Sequence, residues 1–367
     1  MGILPYWWHD AQVSTIPVVW SPETLRHVPG AEIWIGVRTP GTEVPERVEQ
    51  IRDTLVKSGH PVHSAREHDD SVLLTVHDAS LVEHLRVVYS EWVRAGFLDD
   101  PGQDRVVPYV FPTDQMLGPL PPHRARAVHA RAGTYAYDTM TVVGPGTFEA
   151  ARAAVDCALT AVDLVASREA LAAYALCRPP GHHVTRSAYG GSCYLNNAAV
   201  AAEGLRAAGH RRVAVVDLDA HHGNGTAAIF YERADVLYGS VHVDPGAGWF
   251  PHFVGFADER GSGEGEGSTH NLPLAPGTGD SGWLEAVTAL REWIEFHGVD
   301  AVVVSLGVDA AGDDPESPLL VTEQGYREAG RLIGGFRVPS VIVQEGGYHL
   351  DTIGGLVGAY LAGHAGD

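Results

Sequence analysis

The sequence predicts an α/β fold: a mostly parallel β-sheet with helices on both faces, in a single domain. Three observations carry this prediction. Short apolar runs alternate with helical stretches through most of the second half of the chain, the pattern of strands buried on both faces. Several of those runs stop abruptly in histidines, carboxylates and glycines, as strands do when they open into a ligand crevice. The 367 residues show no internal repeat and no linker, and are enough for one large α/β domain.

Taken in order, residues 33–37 read as a first buried strand, followed by a helix over 45–58 with Pro45 tolerated in its first turn. Residues 72–75 read as a short strand and 77–95 as a helix. Six prolines within 99–122 mark a long irregular surface segment, the kind that often carries function. An alanine-rich helix is expected over 147–166, entered from Gly144-Pro-Gly146. Strands follow at 171–177, 213–218, 236–243, 301–306 and 340–344. Helices are expected at 196–208, 225–233, 282–297 and 322–334, and a glycine-rich loop over 255–280.

Composition narrows the function. Hydrophobic residues at 45% and charged residues at 19% describe a soluble globular chain. With 25 basic against 46 acidic residues the formal charge is −21, which argues against a nucleic-acid backbone or an anionic membrane as partner. The same charge is compatible with cationic substrates. Cys157, Cys177 and Cys193 form no CxxC pair, so neither a thiolate metal cluster nor a disulfide framework is expected. The N-terminal residues lack signal-peptide character and no apolar run is long enough to span a bilayer, so the expected location is cytoplasmic.

The chemistry centres on Val215-Val-Asp-Leu-Asp-Ala-His-His-Gly-Asn-Gly-Thr226. Asp217, Asp219 and His221 alternate, so an extended chain projects all three to one side. Taken alone, the stretch reads equally as a strand end with a polar turn or as the start of a metal site. Residues 178–183, 309–314 and 345–348 also follow apparent strands, and four such segments meeting at one sheet edge favour a site. Asp219, His221 and Asp309 are the candidate metal ligands, an oxygen and nitrogen set that leaves a coordination position open. His182 and His183 offer a base near neutral pH, with Asp217 and Asn224 as partners to orient them. Tyr348, after Gly346-Gly347, offers a hydrogen bond to an oxyanion.

Read together, Arg178-Pro-Pro-Gly-His-His, Gly190-Gly-Ser-Cys-Tyr-Leu-Asn-Asn, the 215–226 stretch, Ser305-Leu-Gly-Val-Asp and Glu345-Gly-Gly-Tyr resemble the zinc-dependent histone deacetylase superfamily. They are most like its acetylpolyamine amidohydrolase branch, as are Ile229-Phe-Tyr-Glu-Arg and Phe250-Pro-His-Phe. The similarity spans roughly residues 30–360. It implies an arginase-like α/β fold with one catalytic Zn2+ on Asp219, His221 and Asp309. In such a site His183 takes a proton from the attacking water and returns it to the leaving amine. His182, paired with Asp217, is its electrostatic partner, Asn224 contacts His183, and Tyr348 stabilises the oxyanion. The resemblance also implies structural K+ or Na+ at Asp217, Asp219, His221, Ser240 and Val241, and a second ion at Phe230, Arg233 and Val236. Arg47 matches an arginine of the internal cavity associated with acetate release.

Substrate choice rests on fewer residues. After Gly191, Ser192 stands where the family usually carries an aromatic tunnel wall, while Phe250 with Trp249 keeps the other wall. The missing ring implies a wider tunnel, or one closed by another segment such as Tyr6-Trp7-Trp8. Glu316 matches a tunnel-rim position that is apolar in most members and a cation-selecting glutamate in the animal polyamine deacetylase. The expected activity is deacylation of an acetylated polyamine or similar small cationic amine. A lysine deacetylase acting on peptide or protein, and a deacylase of a bulkier small molecule, are the alternatives. A homodimer or higher homo-oligomer is expected, with the segment 99–122 as the candidate contact.

Overall fold

The computed structural model describes residues 15–367. Its centre is an eight-stranded, all-parallel sheet in the order β4-β1-β5-β10-β9-β6-β7-β8. The strands are β1 (Val18–Trp20), β4 (Val62–Ser64), β5 (Ala172–Ala175), β6 (Val213–Asp217), β7 (Val236–Val243), β8 (Thr269–Leu274), β9 (Ala301–Leu306) and β10 (Ser340–Gln344). Two further strands, β2 (Glu32–Trp34) and β3 (Val37–Thr39), form a separate antiparallel hairpin. Along β6, β9 and β10 successive side chains enter opposite cores. Val215, Val303 and Val341 pack on one face with α6 (Thr147–Ala166) and α7 (Asn197–Ala207). Val216, Val304 and Ile342 pack on the other with α1 (Glu46–Lys57), α9 (Asp280–His297), α10 (Glu323–Gly334) and α11 (Ile353–Ala365). Burial on both faces explains why these strands read as unbroken apolar runs.

Three sequence expectations change. Residues 33–37 are not a buried strand of the sheet but the tip of the β2–β3 hairpin. Ile35 and Gly36 both have positive φ, as a two-residue hairpin turn requires, and Ile35 is 76% exposed. The first central strand is β1 instead, too short to show a period. Residues 72–75 are helical, in α2 (Leu73–Val76), with His77 N–H closing the turn on the Leu73 carbonyl. The 255–280 stretch contains β8, which pairs along β7 at the sheet edge.

The C-terminal helix α11 had no sequence signal because four glycines interrupt it. Glycine weakens a helix by about 1 kcal/mol, but here glycines let two helices touch. A β-carbon on Gly330 of α10 would lie 2.1 Å from the Tyr360 carbonyl, and one on Gly363 of α11 1.9 Å from the Arg327 carbonyl.

The order of strands places the site. The four segments rich in chemistry follow β5, β10, β9 and β6, which are four consecutive neighbours in the middle of the sheet. Parallel strands bring their carboxyl ends to the same edge. Segments more than a hundred residues apart in the chain therefore meet there.

Candidate active site and metal centre

Asp219 and His221 after β6 and Asp309 after β9 bring one ligand atom each to within 4.8 Å of one another. His221 Nδ1 lies 2.9 Å from Asp309 Oδ2 and 3.3 Å from Asp219 Oδ1. Backbone donors aim the carboxylates: Gly346 N–H donates to Asp219 Oδ2 and Ala220 N–H to Asp309 Oδ1, each at 2.8 Å. The fit is close enough to require glycine, because a β-carbon on Gly346 would lie 2.5 Å from Asp219 Oδ2 and 2.6 Å from Asp309 Oδ2. Burial, and then the Asp219 carboxylate, push Asp309 up to about 7. Two buried carboxylates converging on one imidazole nitrogen are costly unless a cation lies among them. The donor set thus fits a divalent ion of the zinc type. A second group, His182, Cys193 and Glu345, is also compact. Its Glu345 Oε2 accepts the N–H groups of Gly181 and His182, and burial holds the Cys193 thiol protonated. It is therefore structural.

The histidine pair follows β5. His182 Nδ1 lies 3.1 Å from Asp217 Oδ2, which also accepts the Tyr238 hydroxyl. Burial pulls the His182 pKa down, but the carboxylates of Asp219 and Asp217 outweigh it and raise it to about 10. His183 Nδ1 lies 2.7 Å from Asn224 Oδ1. An amide oxygen only accepts, so Nδ1 carries the proton and Nε2 is left as a base. Burial first, then the neighbouring His182 and His221 rings, push His183 well below the usual histidine range. One buried imidazole is thus held charged and its neighbour neutral.

Tyr348 sits on the loop after β10. Its N–H donates to Asp314 Oδ2 at 2.6 Å. Beneath it, Arg47 of α1 donates to the Gly347 carbonyl from Nε at 2.5 Å and to the Glu345 carbonyl from Nη2 at 2.6 Å. The guanidinium also lies 4.6 Å from the Tyr348 ring centroid. Arg47 and Arg178 share the buried carboxylate of Glu43. This cluster holds the tyrosine loop from below.

A cavity of about 510 Å³ leads from His183, His221 and Tyr348 to the surface. Gly191, Ser192, Trp249 and Phe250 line it, and Glu32 and Glu316 stand among its lining residues. Ser192 has a left-handed backbone (φ +59°), a conformation that costs a non-glycine residue about 1 kcal/mol or more. Among the described residues, Trp34 and Met140 contribute to the same cavity. The Tyr6-Trp7-Trp8 segment lies outside the described residues. Glu32 was not legible as a site residue, being one of 46 acids. Only the hairpin brings it to the cavity.

The residues matched to structural monovalent ions fall in two places. Asp217 lies opposite Ser240 in the β6–β7 ladder, with Val241 next to it and Asp219 and His221 just beyond the end of β6. Phe230 ends α8 (Asn224–Phe230), its carbonyl accepts the Arg233 N–H at 2.9 Å, and Val236 opens β7.

Asp219, His221 and Asp309 lie close enough to hold a metal ion at the carboxyl edge of the sheet, beside a neutral imidazole and a tyrosine, an arrangement that fits metal-assisted hydrolysis. The chain belongs to the histone deacetylase family: residues 41–363 match the Histone deacetylase domain. It is 42% identical to the acetylpolyamine amidohydrolase of Burkholderia pseudomallei over 333 residues, covering 90% of this chain and 94% of that one. The acetylpolyamine amidohydrolase of Mycoplana ramosa is 38% identical over 350 residues, covering 95% of this chain and 99% of that one. The crystal structure of acetylpolyamine aminohydrolase from Burkholderia pseudomallei superposes with a TM-score of 0.90 at 38% identity, covering 96% of this chain and 99% of that one. The HDA15 HD domain superposes with a TM-score of 0.77 at 28% identity, covering 97% of this chain and 89% of that one.

Proposed function

We propose that this chain is a single-domain zinc amidohydrolase that removes the acetyl group from acetylated polyamines or similar small cationic amines. One observation carries the substrate class. Glu32 and Glu316 reach the same narrow cavity from distant parts of the chain. Burial, and then the charges of Glu316, Glu43 and Asp138, push Glu32 up to about 7. A Glu316 charge that opposes ionisation of Glu32 within the same cavity favours a cationic ligand, which relieves the repulsion. The names of the relatives above support the same reading.

In this mechanism Asp219, His221 and Asp309 would hold the zinc ion, which when bound would polarise the amide carbonyl and acidify water. His183 Nε2, kept neutral by its surroundings, takes a proton from the attacking water and delivers it to the departing amine nitrogen. His182, held charged between Asp217 and Asp219, keeps a positive charge beside the developing negative one. The Tyr348 hydroxyl donates to the carbonyl oxygen as it gains charge. The C–N bond breaks, and acetate and an ammonium product leave. The buried Arg47, Arg178 and Glu43 cluster carries net positive charge beneath the tyrosine loop and supports passage of the acetate. The two sets around Ser240 and Phe230 are proposed to bind K+ or Na+.

The substrate reading is tested by replacing the rim acids. Glu316→Leu and Glu32→Gln are expected to raise KM for N-acetylputrescine and acetylspermidine on the order of tenfold, the effect of about 1.4 kcal/mol. Neutral acetyl-lysine peptides should be affected little. Unchanged KM for the polyamines, or wild-type preference for acetyl-lysine peptides, sinks this reading in favour of a peptide lysine deacetylase.

We also propose a homodimer. Trp34, Ile35, Tyr109, Met116, Leu120 and Phe253 are large apolar side chains between 56% and 87% exposed, and three of them belong to the proline-rich segment 99–122. Trp34, Ile35 and Phe253 line one cavity together with Phe111 of that segment, and apolar side chains clustered in this way favour a partner surface. Light scattering on a sizing column is expected to give twice the chain mass of 39.2 kDa. A monomer mass at the concentrations used for turnover rejects the dimer. Among the described residues no helix is long and apolar enough to cross a membrane. The three buried free thiols support a cytoplasmic location.

A further inference from the structure

The wall of the cavity beside Phe250 is backbone where a ring is usual, and this backbone has its own support. Gly191 and Ser192 are consecutive residues with left-handed φ of +59° each. Their N–H groups are caught by one pair of side chains. Gly191 N–H donates to Asp138 Oδ2 at 2.6 Å, and Ser192 N–H donates to Thr141 Oγ1 at 2.8 Å. The pair is closed on itself: the Thr141 hydroxyl donates to Asp138 Oδ2 at 3.1 Å and Thr141 N–H donates to Asp138 Oδ1 at 2.8 Å. One N–H held by a carboxylate, and the next by a hydroxyl bonded to that same carboxylate, form a backbone clamp.

On its other side the same segment has no slack. A β-carbon on Gly191 would lie 2.4 Å from His183 Cδ2 and 2.9 Å from Phe250 Cε1. One on Gly190 would lie 2.4 Å from the Tyr137 ring and 2.8 Å from Asp138 Oδ2. Any outward movement of residues 190–192 therefore opens space directly beside His183. Among the described residues, Asp138 and Thr141 are the partners of the Gly191 and Ser192 N–H groups.

We propose that Asp138, together with Thr141, is a positioning residue that holds Gly191 and Ser192 against His183 and Phe250 and so sets the tunnel width at the scissile amide. Its carboxylate is occupied by backbone and hydroxyl donors, so it acts through the wall and not by touching substrate. The tunnel requires this where Ser192 supplies no ring of its own to pack the wall in place. The inference rests on the amidohydrolase reading for its kinetic consequence, but its structural consequence can be measured without turnover.

The test compares Asp138→Asn, Thr141→Val and Thr141→Ser. Amide hydrogen exchange is read at residues 191 and 192, and KM and kcat/KM are read with N-acetylputrescine and N-butyrylputrescine. In Asp138→Asn and Thr141→Val the two amides are expected to lose protection while α6 and β10 keep theirs. KM for the acetyl substrate should rise on the order of tenfold, and the preference for acetyl over butyryl should shrink. Thr141→Ser, which keeps the hydroxyl, should behave as wild type. Unchanged exchange at 191 and 192, or an unchanged acyl preference in Thr141→Val, overturns the proposal. If Asp138→Asn fails to fold, Thr141→Val and Thr141→Ser decide the matter. A wild-type protein inactive on every acylated amine would refute the amidohydrolase reading, and the exchange data would still judge the clamp.

Discussion

His183→Ala is expected to lower turnover of an acetylated polyamine on the order of 10²-fold or more, with Tyr348→Phe causing a loss of similar size. The argument for His183 is its environment. Asn224 Oδ1 fixes the proton on Nδ1, and burial beside two other imidazoles keeps the ring neutral, so Nε2 is always available to accept a proton. For Tyr348, the loop is held by Asp314 from one side and Arg47 from the other, so the hydroxyl needs no reorganisation when charge develops. Neither side chain belongs to the ligand set, and both variants should bind zinc as wild type does. Metal content by plasma mass spectrometry, read beside kcat, separates these roles from metal binding. Wild-type turnover in either variant refutes its role, and loss of metal from either reassigns it to the ligand shell.

Stripping the metal is expected to remove turnover down to background and to restore it on adding back one zinc per chain. The ligand atoms of Asp219, His221 and Asp309 are held within 4.8 Å of one another by the fold itself, so the cost of gathering them falls on folding. Zinc that binds only the folded chain then stabilises it, by about 2.7 kcal/mol at a hundredfold excess over Kd. The melting temperature should rise on zinc addition in wild type and not in Asp309→Ala, which should also lack stoichiometric metal. Full turnover after chelation contradicts the assignment. Two metals per chain point instead to the binuclear chemistry of a manganese ureohydrolase.

The helix over 147–166 and the strands 236–243, 301–306 and 340–344 fall where the amino-acid pattern puts them. Each is long enough for its period, or its unbroken apolar run, to be visible. The strands at the two edges of the sheet, and β1 beside one of them, were not legible. β1 and β4 have three residues each, and β8 is disguised by Asn271 and Pro273. Such strands are defined by the neighbour they pair with, not by their own composition. The hairpin at Glu32–Trp34 and Val37–Thr39 read as a core strand because Ile33, Trp34, Ile35 and Val37 are apolar, although Ile35 faces solvent.

The site divides along the same line. Asp217, Asp219, His221, Asp309, His182, His183 and Tyr348 could be found without coordinates, because parallel strands concentrate chemistry at their carboxyl ends and mark those ends with glycine. The three-ligand set, and with it the expectation of a metal hydrolase, is a property of residue type and spacing. The substrate end is different. Glu32, Asp138 and Thr141 belong to no motif and are single polar residues in an acidic chain. Their roles come from distances across the fold: Glu32 shares a cavity with Glu316, and Asp138 meets the Gly191 N–H from 53 positions away. The residues gathered at the candidate metal centre were thus marked by local patterns along the chain. The shape and charge of the tunnel arise only when the hairpin, the 138–141 turn and the strand-end loops pack together, because those contacts have no counterpart in sequence spacing.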